Sequence, residues 1–135
     1  MRVRAVLVLT VCLFSEALFA RVPRRHLPPT DPEYGSALAA ANRFLHAWQT
    51  QDHETGIMML TDAAREHASR DQLQAFFSSG PDAAFEIRRG KRLSTEEYAF
   101  PVVLFDIAKD ANHPHASKII IVKAGKEDWA VDRLP

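Results

Sequence analysis

The chain has 135 residues with 17 basic and 17 acidic side chains, enough for one folded domain with its own core. A balanced charge leaves no electrostatic footprint for nucleic acid. The one cysteine, Cys12, lies in the N-terminal apolar run, so the domain beyond it has no disulfide framework, thiolate nucleophile or cysteine metal site.

Arg2 and Arg4 precede an apolar run from Ala5 to Phe14, the order of a signal peptide's charged and hydrophobic regions. That run is shorter than the ~20 apolar residues a bilayer span needs, and Glu16 stands just beyond its end. Residues 1–20 therefore read as a removable signal segment with cleavage in the Ala17 to Ala20 window. The expected destination is periplasmic or extracellular, with no stable membrane span after cleavage. A lipobox at Leu9, Thr10, Val11 and Cys12 is the rival reading, and Val11 fits it poorly because a small residue usually stands there. Removing Arg2, Arg4 and Glu16 leaves 15 basic and 16 acidic residues, so the charge balance survives processing.

Pro23, Pro28, Pro29 and Pro32 fall within residues 21–32. Proline fixes φ and removes a backbone donor, so this stretch reads as an extended tether, and residues 33–135 as a single α+β domain.

The first helix begins near Glu33 and runs to Gln51. Leu38, Ala41, Leu45 and Trp48 recur at spacings of three and four, with Phe44 at the margin of the stripe and Arg43, His46 and Thr50 on the other side. Asp52 is the expected N-cap of a second helix reaching about Ala68. His53, Ile57, Leu60, Ala64 and His67 share one face of it, flanked by Met58 and Met59. A histidine on an apolar face can serve as a pocket acid or base, and His67 is the better placed of the two, since a charge on His53 would oppose the helix dipole. The plainer expectation for His67 is a helix-end histidine satisfied by a nearby carbonyl. A third, short helix comes next, capped by Ser69 or Asp71, packing Leu73, Phe76 and Phe77 and stopped by Gly80 and Pro81.

Beyond Pro81 the apolar period changes from helical to alternating. Phe85 and Ile87 begin one strand; Tyr98, Phe100, Val102 and Leu104 mark a second; Ile119 and Ile121, or Ile120 and Val122, a third; Trp129 and Val131 a fourth. The connection from Ala124 to Asp128 reads as a hairpin. Pro101 would leave a gap in a central ladder, which predicts a bulge or an edge position. Arg88, Arg89, Lys91 and Arg92 cluster around Gly90; without interleaved aromatics they read as a solvated strand end rather than an anion site.

The fold class is therefore α+β, with N-terminal helices packed against a curved antiparallel sheet of about four strands. The helix ALAAANRFLHAWQTQD, the second helix and the closing strands ending in KEDWAVDRLP resemble the nuclear transport factor 2-like superfamily, specifically its small exported members. The short interval before the third helix leaves no room for the strand or hairpin that many members carry there. The resemblance implies a cone-like fold, a pocket used by some members for proton transfer or hydrolysis and by others for binding, and often dimerisation through the sheet. None of the superfamily's catalytic sets matches here residue by residue, so no role is carried over.

His53 and Glu54 open an H-E-x-x-H pattern that Ile57 breaks, and Ala63 breaks the inverted form before Glu66 and His67. There is no G-x-S-x-G elbow, Walker loop or G-x-G-x-x-G fingerprint, and no cofactor is expected. His113 and His115, near Asp106 and Asp110, are candidate zinc, copper or nickel ligands by type, but a polar loop offers no rigid support for ligand geometry, so no metal is expected. The sequence thus points to an exported binding or interaction domain, alone or self-associated through its sheet, with a possible small apolar ligand. The alternative is a small pocket enzyme using general acid/base catalysis on an apolar ligand. Trp48, Leu60, His67, Tyr98 and Trp129 are the candidate pocket-lining residues, and the four other than His67 are expected near one another.

Overall fold

The computed structural model describes residues 31–106 and 113–135. The signal segment, most of the tether and Asp110 of the histidine loop lie outside the described residues. Helix α1 (Pro32–Gln49) starts within the stretch read as tether, because Asp31 is its N-cap and accepts from the Glu33 N–H, while Pro32 takes a first-turn position that needs no donor. Its buried stripe holds Ala37, Ala40, Ala41, Phe44, Leu45, Ala47 and Trp48, so Phe44 is central to the core and not marginal.

The end of α1 is a Schellman turn. The Gln51 N–H donates to the Trp48 carbonyl at 3.2 Å and the Asp52 N–H to that of Ala47 at 2.8 Å, and Gln51 stands at φ 58°, where glycine is usual. The Gln51 side-chain amide donates to the Ser79 carbonyl, and the buried Ser79 hydroxyl donates back to the Trp48 carbonyl at 2.7 Å. These bonds hold the helix end against the loop that leads into the sheet.

The single second helix expected from Asp52 to Ala68 is instead two, α2 (His53–Met58) and α3 (Asp62–His67). Asp52 caps α2 as expected, accepting from Thr55 N–H at 3.1 Å. The break has a tertiary cause. Met59 O accepts from Val131 N–H and Thr61 N–H donates to Val131 O, so Leu60 forms a parallel bridge with Val131 and the interruption covers the outer edge of the last strand. Because Thr61 then caps a new helix, His53 and His67 do not share one continuous helical face. Helix α4 (Arg70–Phe76) is capped by Ser69, with Gln72 completing a reciprocal capping box.

The sheet has five strands, β1 (Ala84–Ile87), β2 (Lys91–Ser94), β3 (Glu97–Phe105), β4 (His115–Lys123) and β5 (Trp129–Arg133), all antiparallel, with β4 between β3 and β5. The β1 and β2 strands share the remaining side of β3, pairing with its second and first halves respectively. The expected Ala124 to Asp128 hairpin is present, closed by Ala124 N–H on the Asp128 carbonyl.

Pro101 is in the central strand and not at an edge, and its pairing with Lys118 falls in an unshifted ladder, so the expected bulge is absent too. The Pro101 carbonyl accepts from Arg88 N–H at 2.8 Å, which points the missing Pro101 donor toward the same side, where β1 has ended and β2 has not begun. At that kink the Gly90 backbone lies so close to Phe100 that a Cβ there would meet the ring at 2.4 Å.

Tyr98, Phe100, Val102, Leu104, Ile119, Ile121 and Val131 face the helices and join Phe44, Leu45, Trp48, Leu60, Phe77 and Trp129 in one buried cluster. Val103 and Ile120 are buried on the opposite face of the sheet, where Phe105 is 38% exposed.

Candidate functional site

Two polar arrangements stand out around this core. The first joins the start of α1 to the sheet. The Tyr98 hydroxyl donates to Asp31 Oδ2 at 2.6 Å, Arg92 reaches Asp31 and Glu33, each at 3.4 Å, and Lys123 pairs with Glu33. The Tyr34 hydroxyl accepts from the Gly90 N–H at 3.0 Å.

The Tyr98 hydroxyl, then the helix-start N–H groups and Arg92, hold the Asp31 carboxyl below the usual carboxylate range. Burial first, and then the bond to Asp31, push the Tyr98 phenol up to about 12. A phenol so raised keeps its proton at neutral pH. Every charged partner in this group is engaged by the chain itself, so the arrangement is a clasp for the helix start. It also splits the basic cluster read from the sequence: Arg92 turns to the acids and Arg88 pairs with Glu86 at 3.0 Å, while β2 is exposed throughout.

The second arrangement is an open cleft of about 460 Å³ between α3, α4 and the end of β5, lined by Ala63, Ala64, Ala68, Leu73, Phe76 and Leu134 and by His67, Gln72, Asp132 and Arg133. It lies where α3, separated from α2 by the helix break, meets α4 and the end of β5. His67 is exposed, and its Nδ1 bonds the Ala63 carbonyl one turn back at 2.7 Å. Thr61 Oγ1 donates to Asp132 Oδ1 at 2.9 Å, fastening the start of α3 to the last strand. A neighbouring cleft beyond α2 is lined in part by His53, Ile57, Arg65 and Arg70.

Of the five residues singled out as pocket-lining, His67 alone belongs to these clefts. Trp48, Leu60, Tyr98 and Trp129 lie in the buried cluster; Tyr98 meets Trp129 edge-on at 5.5 Å, and Trp48 packs on Phe76 at 6.3 Å. Sequence reasoning missed Arg133, Asp132, Gln72 and Leu134, which carry no local motif. His113 and His115 are exposed, and Asp106 accepts from the Gly80 N–H at 3.0 Å. Among the described residues no three His, Cys, Asp or Glu side chains are grouped to hold a metal ion, and no helix is long and apolar enough to cross a membrane.

No protein-family model matches the chain, and no curated protein matches its sequence. Among solved structures it is similar to a ketosteroid isomerase-like protein from Erwinia carotovora atroseptica SCRI1043, with 21% identity and a TM-score of 0.54 over 76% of this chain and 93% of that one. It also resembles an uncharacterised cystatin-fold protein from Novosphingobium aromaticivorans, with 17% identity and a TM-score of 0.47 over 73% and 97%. At these identities the likeness is one of fold: helices laid on a curved antiparallel sheet, the nuclear transport factor 2-like arrangement shared with the ketosteroid isomerase-like protein.

Proposed function

We propose that this chain is a small exported binding domain and that its ligand seat is the cleft between α3, α4 and β5. The carrying observation is the pairing, in one open cleft, of an apolar floor (Ala64, Ala68, Leu73, Phe76) with a polar rim (His67, Gln72, Asp132, Arg133). Apolar lining supplies affinity and a few placed polar groups supply orientation. The volume suits a small amphipathic molecule. His67, the candidate acid or base, sits on the rim with one nitrogen already committed to its own helix, which supports a recognition role in this reading. Titrating the labelled protein with 1-octanol or octanoate is expected to shift amide resonances of Ala68, Leu73, Phe76 and Leu134, and Ala68→Phe, which fills the floor, is expected to abolish the shifts. Shifts elsewhere, or none with either compound, would overturn the reading.

Export rests on the sequence of residues 1–20. The order of Arg2, Arg4, the apolar run and the small residues at Ala17 and Ala20 supports processing to a mature N-terminus between residues 18 and 21. Mass spectrometry of the exported protein is expected to find that terminus; an intact Met1 or a lipidated Cys12 refutes it.

A further inference from the structure

The geometry points to a monocarboxylate with an apolar tail as the ligand class of the α3–α4–β5 cleft, an inference that rests on the binding reading above. The choice depends on which polar atoms of the rim are already used. A carbonyl can only accept, so the 2.7 Å contact with Ala63 O places a proton on His67 Nδ1. Its Nε2 is then an acceptor in the neutral ring and a donor in the protonated one. Gln72 Oε1 accepts from the Ser69 N–H at 2.9 Å in the capping box, so the amide nitrogen of Gln72 is the end left over. Asp132 Oδ1 is already an acceptor for the Thr61 hydroxyl at 2.9 Å.

Arg133, with Arg43, Arg70 and Arg89, stands outside the ion pairs among the described residues, and of these four it alone lines this cleft. Arg65 is paired with Asp62 at 2.7 Å, Arg88 with Glu86 and Arg92 with two acids, whereas no side chain among the described residues pairs with Arg133. The fixed donors left to the cleft are therefore one guanidinium and one amide N–H₂, beside an apolar floor. A planar guanidinium matches a carboxylate with two parallel bonds, and the hydrocarbon tail would cover Leu73, Phe76 and Leu134. Asp132 opposes an anion, which makes an amine head the direct competitor and gives the test its discriminating arm.

Octanoate, 1-octanol and octylamine share one tail and differ in the head. Binding followed by calorimetry at low salt is expected to rank octanoate above 1-octanol by about tenfold, with octylamine weakest. Arg133→Gln is expected to erase the octanoate advantage, so that the variant binds octanoate no better than 1-octanol, and Arg133→Lys to restore part of it, since the charge returns without the fork. Arg133 is exposed, and an unchanged amide spectrum checks that each variant is folded. Equal binding of octanoate and 1-octanol, or a preference for octylamine, overturns the carboxylate assignment and leaves the cleft intact as a site. Failure of all three to bind overturns the binding reading together with it.

Discussion

Gly56→Ala is expected to lower the stability of the domain by about 1–3 kcal/mol, the usual range for overpacking a filled core. Helix propensity argues the other way, since alanine in place of a helical glycine is worth up to ~1 kcal/mol, so the sign is a test of geometry against propensity. Gly56 is the buried residue of α2, and a Cβ added there would stand 2.2 Å from two carbons of the Phe77 ring. The ring has little space into which to retreat. Phe77 is fully buried and held edge-on by Phe44 at 5.6 Å and Phe76 at 5.1 Å, with the His53 ring tilted against it at 5.7 Å. Urea unfolding measures the loss. Replacing the obstructing ring gives a second check: in a Phe77→Leu background the added cost of Gly56→Ala is expected to shrink, a coupling that a double-mutant cycle reads directly. A Gly56→Ala protein more stable than the parent would show that the ring yields and that propensity outweighs the contact.

The same contact shows what a linear sequence conceals. The α1 stripe and the cap at Ser69 are encoded within a few residues of themselves, and the structure has both, with Phe44 moved from the margin of the stripe to its centre. The break of the second helix is not local. Ile57, Leu60 and Ala64 fit a helical stripe whether the helix continues or stops, and the deciding bonds come from Val131, far along the chain. Strand β2 was hidden for a different reason: all four of its residues are exposed, so they show no alternation to read. Pro101 misled because the rule against proline in central strands assumes a partner on both sides, and here the partner strand is kinked away at that residue.

The candidate cleft was legible by one residue, His67, which the apolar stripe singled out. Its other polar members come from α4 and from the end of β5, and only the fold brings them together. The clasp is equally nonlocal, since Asp31 and Tyr98 are 67 residues apart. Tyr98 could be placed on the inner face from its alternation with Phe100 and Val102, but nothing in that pattern says that its hydroxyl meets a helix cap.

That hydroxyl leads to a large effect at alkaline pH. Tyr98 is fully buried, and its phenol is raised from 10.0 to about 12, by burial first and by the bond to Asp31 next. In the unfolded chain the phenol ionises near its ordinary value, so the unfolded state loses its proton first as pH rises. Stability from this group is therefore complete below about pH 10, declines as pH rises toward about 12, and is gone above it. The gap between 10.0 and about 12 sets a ceiling of about 3 kcal/mol on the loss across that window, reduced by solvent screening where the hydroxyl meets the partly exposed Asp31 and Arg92. Lysines elsewhere also lose charge at alkaline pH, and Tyr98→Phe separates the contributions. It removes the ionisable oxygen while keeping the ring against Tyr34, Phe100 and Trp129. At neutral pH the variant is expected to be the less stable, because Asp31 loses the donor that stabilises its charge. As pH rises the two proteins are expected to converge, since the parent sheds the Tyr98 contribution and the variant has none to shed. Urea melts of both at several pH values between about 8 and 12 measure the difference, in which the shared alkaline effects cancel. A difference that stays constant across the window would mean that Tyr98 ionises as readily folded as unfolded, and that the clasp does not shelter it.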